Sequence, residues 1–84
     1  MFVDRYGYDS GSFVSPLGTP YENRSLPIGT DKKPYSVFEI LAPIEVKAGR
    51  AAPWFNKIGG GIQYKFDRSI SELIEQGLLR RVGA

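Results

Sequence analysis

At 84 residues the chain is one small domain, near the size at which a single apolar core is only marginally sufficient. It contains neither cysteine nor histidine, which excludes a disulfide framework, thiol nucleophiles, imidazole bases and the usual zinc sites, so no metal is expected. Eleven Lys and Arg against nine Asp and Glu leave a net charge of +2, a mild imbalance below what a nucleic-acid binder usually shows; no apolar run approaches the ~20 residues that cross a bilayer, and no signal-peptide pattern opens the chain.

In chain order, residues 2–7 read as a short strand entering a glycine turn, with Asp9, Ser10 and Gly11 continuing the loop. Arg5 reads as a surface charge beside Asp4 or Asp9, or as a residue of a site. Phe13-Val14 is a brief apolar strand that Pro16, Gly18 and Pro20 should close and keep out of any central ladder. Residues 21–27 have no period, and Arg24 stands there almost alone, either solvated or offering a planar fork for bidentate phosphate recognition. After a polar turn at 29–34, residues 35–41 (YSVFEIL) form the strongest strand. Pro43 separates it from a strand at 44–47, with Ile44 and Val46 inward and Glu45 and Lys47 solvated, before Gly49 turns the chain back.

Residues 51–66, AAPWFNKIGGGIQYKF, look built for a purpose. Pro53-Trp54-Phe55 is an apolar anchor, and Gly59-Gly60-Gly61 tolerate φ > 0 or the close approach of another molecule. Ile62, Tyr64 and Phe66 then alternate with Gln63 and Lys65, which sends Gln63 away from the core. Two readings stay open. One is a surface loop leading into a half-buried strand; the other is a cleft in which a neutral amide, beside bare glycine backbone and aromatic rings, donates to and accepts from sugar hydroxyls. The glycines match neither a phosphate loop nor the dinucleotide fingerprint.

Ser69-x-x-Glu72 is a capping box for a helix at about 70–76 with Ile70, Leu73 and Ile74 on one face; Gly77 stops it and Leu78 folds back. Residues 78–82 read as an edge strand guarded by Arg80-Arg81. The expected fold is α+β and mostly β: a small compact antiparallel sheet with one short C-terminal helix and one core. Glu39 and Glu45 are available as bases, although nothing in their spacing singles them out.

Asp4-Arg5-Tyr6-Gly7, Gly11-Ser12-Phe13, Pro20-Tyr21-Glu22-Asn23-Arg24-Ser25-Leu26-Pro27, Ala52-Pro53-Trp54-Phe55 and Gly59-Gly60-Gly61-Ile62-Gln63-Tyr64 follow one another as motifs do in the tuberculosis necrotizing toxin domain family. Over residues 3–82 the chain resembles that family. The resemblance implies a single domain, 1–84, at the C-terminus of a longer secreted protein, with an upstream delivery domain and a cognate immunity protein. Its activity would be hydrolysis of the ribose–nicotinamide bond of NAD or NADP, depleting NAD in the cytosol of a target cell, with the dinucleotide as substrate and no cofactor.

It further implies that Gln63 is the central catalytic residue, with Arg5 beside it. Arg5 and Arg24 would hold the phosphates, Phe13 and Tyr6 would wall the nicotinamide end, and Gly61 would let the sugar approach. Some members carry Tyr where this chain has Phe13, and the family's namesake carries His where it has Ser36, so neither a phenol nor an imidazole is essential here. Members usually also have additional chain before the Asp-Arg motif. Two rival functions remain: an ADP-ribosyltransferase, which would release no free ADP-ribose without an acceptor, and a β-domain that stacks single-stranded nucleic acid with steep salt dependence.

Overall fold

Period-two alternation builds the sheet on which this molecule is organised. The computed structural model describes residues 1–51 and 59–83. Its strands are β1 (Phe2–Tyr6), β2 (Phe13–Pro16), β3 (Tyr35–Ile40), β4 (Val46–Arg50), β5 (Ile62–Phe66) and β6 (Leu79–Gly83), with the helix α1 (Ile70–Glu75) before the last. They form a six-stranded sheet in the order β4-β5-β2-β1-β3-β6, and each neighbouring pair is antiparallel. This is the expected mostly β fold with one short C-terminal helix.

One face of the sheet is the core. Val3, Val14, Phe38 and Phe66 alternate onto it and pack with Ile70 and Leu73 of α1 and with Leu79; burying each such side chain contributes about 1.5–3 kcal/mol. The capping box forms as expected: Ser69 Oγ accepts from the Glu72 amide at 3.1 Å and Glu72 Oε1 accepts from the Ser69 amide at 3.4 Å. At the other end Gly77 has φ 73°, and the amides of Gly77 and Leu78 donate to the carbonyls of Ile74 and Leu73 at 3.0 and 2.9 Å, which turns Leu78 back onto the core. The first turn of α1 clamps the loop between β1 and β2, since the amides of Ile70 and Ser71 donate to the carbonyls of Gly11 and Asp9 at 3.0 and 2.9 Å.

Four local expectations are corrected. β2 lies inside the sheet, not outside its ladders: it pairs with β5 through Phe13 and Val14 and with β1 through Ser15 and Pro16. Pro16 is tolerated because the ladder to β5 has already ended where its missing N–H falls. The strand expected at 44–47 begins two residues later, at Val46, which is exposed, while Ile44 packs against the core from the preceding loop. Gly49 is not a turn but sits within β4, opposite Gln63. Ile62 opens β5 exposed, so the inward alternation holds only for Tyr64 and Phe66. β6 is an edge strand as expected, with Arg80 bonded to Glu39 and Arg81 forked on Asp9 at 2.6 and 2.7 Å. The anchor Pro53-Trp54-Phe55 lies outside the described residues.

Candidate functional site

The opposite face of the sheet is polar and aromatic. Asp4 and Tyr6 alternate onto it from β1, Phe13 and Ser15 from β2 and Gln63 from β5, with Asp4 directly opposite Ser15. The loop between β2 and β3, which contains short 3₁₀ turns at Tyr21–Asn23 and Thr30–Lys32, lies against this face through Gly18, Tyr21 and Arg24. Between loop and sheet is an open cleft of ≈ 440 Å³, lined by Arg5, Tyr6, Phe13, Arg24 and Gln63 with Lys33 also on its wall. A crevice of ≈ 30 Å³ shares those five side chains and reaches Asp4 and Ser15. Stretches remote in sequence thus bring every cleft residue anticipated from the sequence, Gly61 excepted, to one place.

Arg24 is neither solvated nor alone. It is 7% exposed, its Nη1 lies 2.7 Å from Asp4 Oδ1, its Nε and Nη2 donate to the Thr19 carbonyl at 3.0 and 2.8 Å, and its guanidinium carbon sits 5.1 Å from the centre of the Tyr6 ring. The contact with Oδ1 is an ion pair between two buried side chains. Asp4 is 0% exposed, and its Oδ2 accepts from the Tyr35 hydroxyl at 2.7 Å and from the Gly18 amide at 3.3 Å. Burial, and then the bond to Asp4, pushes the Tyr35 pKa up to about 12. Ser25, between the cleft residues Arg24 and Leu26, has φ 52°, a left-handed backbone uncommon for a residue with a side chain.

Arg5 is half-buried, and its Nε and Nη1 donate to the carbonyls of Tyr8 and Phe13 at 3.0 and 2.9 Å. Neither nearby carboxylate forms its ion pair, since Asp4 takes Arg24 and Asp9 takes Arg81. Burial lowers the Arg5 pKa, against the opposing charge of Asp9. The guanidinium packs so closely on Gly11 that a Cβ there would lie 1.9 Å from Nη2, so any side chain at that position would push the Arg5 fork aside. Arg5 therefore braces the loop that delivers Phe13.

Gln63 lines the cleft, and its partner across the sheet on β4 is Gly49, which brings no side chain of its own to that flank. Gly61 is used differently from the expectation. A Cβ on it would meet the Asn23 carbonyl at 2.8 Å, and its amide donates to that same oxygen at 3.0 Å. The close approach is to the 3₁₀ turn of this chain, and Gly61 is not among the residues lining the cleft. Glu39 is engaged by Arg80 at the sheet edge, and Glu45 borders a separate concavity of ≈ 330 Å³ with Ser12, Lys65 and Asp67, so neither is a base for the cleft. Ser36 is buried on β3 opposite Arg5. The sequence reading passed over Asp4, Tyr35 and Lys33. Asp4 was legible in principle, as a carboxylate at a strand position flanked by buried Val3.

The architecture is a small α+β domain with its helix on the apolar face of an antiparallel sheet and an arginine-bearing, aromatic cleft on the other. The model of the tuberculosis necrotizing toxin family matches residues 1–82, and the chain belongs to that family. It is 37% identical over 89 residues to the conidial surface nicotinamide adenine dinucleotide glycohydrolase nadA of Aspergillus fumigatus, covering 98% of this chain and 38% of that protein. Its structure is similar to that of tuberculosis necrotizing toxin solved in complex with its immunity factor IFT, with a TM-score of 0.82 and 29% identity, over 94% of this chain and 46% of that one. The chain spans less than half the length of these relatives.

Proposed function

We propose that this domain is an NAD(P) glycohydrolase: water adds to the anomeric carbon of the nicotinamide ribose, the C–N bond breaks, nicotinamide leaves with the bonding electrons, and a proton is released with ADP-ribose or its phosphate. The observation that carries the reading is the convergence of Gln63, Arg5, Arg24, Tyr6 and Phe13 on one cleft in a chain of this family. The named activity of the Aspergillus relative supports it. The leaving group is a pyridinium that becomes a neutral pyridine on departure, so no acid has to protonate it. The cleft suits that demand, because it offers an oriented amide, ring walls and fixed cations rather than the acid and base pair of ordinary glycosidases.

In this reading Gln63 hydrogen-bonds the reacting ribose, Arg5 and Arg24 face the phosphates, and Phe13 and Tyr6 exclude water around the base. As part of a longer protein the domain acts as a secreted or surface toxin delivered to the cytosol of another cell, and an inhibitor places acidic or polar groups in the cleft. Its relatives, a conidial surface protein and a toxin bound to an immunity factor, support this. The test is incubation of the purified chain with NAD and with NADP, without a protein acceptor. Equimolar nicotinamide and free ADP-ribose are expected. Turnover only when an acceptor is added would instead make it a transferase, and no consumption of either dinucleotide would overturn the reading.

A further inference from the structure

Beneath Arg24 lies a buried carboxylate that the reaction as written does not use. Asp4 touches Arg24 through one oxygen, and through the other it accepts from Tyr35 and Gly18. Tyr35 in turn packs against Tyr6 at 4.8 Å between ring centres, and Tyr6 lies under the Arg24 guanidinium at 5.1 Å. The contacts close a ring: Tyr35 to Asp4, Asp4 to Arg24, Arg24 to Tyr6, and Tyr6 back to Tyr35. We propose that Asp4 and Tyr35 are positioning residues, which hold the Arg24 guanidinium in one orientation on the cleft wall before a dinucleotide phosphate arrives.

Several observations converge on this role. An unpaired arginine side chain would lose rotamer freedom on binding its ligand, and one already fixed loses little, which raises affinity without any new contact. Asp4 alone would not fix the fork, because a carboxylate free to rotate could follow the arginine. The Tyr35 hydroxyl and the Gly18 amide hold Oδ2, and that sets the direction in which Oδ1 faces Arg24. Carbonyl acceptance from Nε and Nη2 by Thr19 locks the remaining edge of the guanidinium.

The inference rests on the glycohydrolase reading, and Tyr35→Phe tests it because only a hydroxyl is removed. A purely structural loss would lower the active fraction and hence kcat. A lost orientation of Arg24 instead raises KM for NAD, by about three- to tenfold with kcat changed by less than about twofold. In an Arg24→Lys background, which has no fork to orient, Tyr35→Phe should raise KM no further. An unchanged KM, or the same rise in both backgrounds, overturns the proposal. Exchange of the Arg24 Nε proton, followed by NMR, keeps the two readings apart. Should the parent chain release no nicotinamide, the glycohydrolase reading fails, and the positioning role is then decided by whether that proton exchanges faster in Tyr35→Phe than in the parent. Equal exchange overturns it.

Discussion

Val3 and Asp4 are neighbours on β1, and both are 0% exposed, yet they are buried by different physics. Val3 faces the helix side and packs with Phe38, Ile70 and Leu73, where contact is non-directional and one apolar neighbour can stand in for another. Asp4 faces the cleft side, where its burial is tolerable only because Arg24, Tyr35 and Gly18 meet it at defined atoms. The helix face therefore supplies stability that tolerates repacking. The cleft face holds a directional arrangement, in which the groups that make burial possible also decide where the arginine sits.

The largest expected effect breaks that arrangement. Arg24→Ala leaves the Asp4 charge buried without its partner and should cost about 3–5 kcal/mol, a large fraction of the total for a domain this small. Leu73→Ala on the other face should cost a comparable 2–5 kcal/mol or so, but leave kcat and KM of the folded fraction unchanged. Urea unfolding measures both. An Arg24→Ala loss no larger than that of a surface substitution would mean that the arginine is not held by Asp4. Removing Asp4 and Arg24 together should cost less than the sum of the single losses, since no lone charge remains.

The two faces also differ in how legible they are. The helix face is written in local signals: the Ser69 capping box and the Gly77 stop each act over a few residues and form as expected, and the alternation of β5 holds at Tyr64 and Phe66 though not at Ile62. The cleft face depends on contacts between remote segments. Nothing near Arg24 reveals that a carboxylate 20 positions earlier will bury it, and nothing near Gly61 shows that the Asn23 carbonyl will claim the space beside its Cα. Pro16 misled because proline was weighed as though one strand had one partner along its whole length, whereas β2 changes partner midway. Family resemblance pointed to Gln63, Arg5 and Phe13 without explaining how Arg5 braces the loop that ends at Phe13.

A second prediction separates catalysis from support on the cleft face. Gln63 lines the cleft with Gly49 at its flank, so trimming it should remove a transition-state hydrogen bond and little packing. Gln63→Ala is expected to lower kcat by about 10² to 10³, with Tm nearly unchanged. A well-folded variant as active as the parent would remove Gln63 from the site. Gln63→Glu keeps the shape but not the amide donors: partial activity would indicate accepting from ribose hydroxyls, and a dead variant would indicate donation.

A smaller effect should come from Ser25, whose φ of 52° falls between two cleft residues. If the cleft face stores strain that the helix face does not, Ser25→Gly relieves it. The expected change is a gain of about 0.5–1 kcal/mol in thermal or urea unfolding, the left-handed penalty partly offset by the greater freedom of glycine in the unfolded chain. Loss of stability would show that the serine side chain contributes more than its backbone costs.

The smallest expected effect lies where the cleft meets solvent. Arg5 and Arg24 both spend donors on backbone carbonyls. Lys33 is exposed at the end of the Thr30–Lys32 turn, lines the same cleft, and has no ion pair among the described residues. An exposed ammonium acts on an approaching phosphate through a field that salt screens over about 10 Å at 0.1 M and about 3 Å at 1 M. Lys33→Gln should therefore raise KM for NAD by about two- to fivefold at low ionic strength, through weaker uniform binding, and leave kcat and Tm where they were. Raising the salt should bring the parent up to the variant, so the two KM curves converge. A constant ratio of KM at every salt concentration would mean that Lys33 makes a direct, desolvated contact; identical curves throughout would leave the buried arginines as the charges that matter.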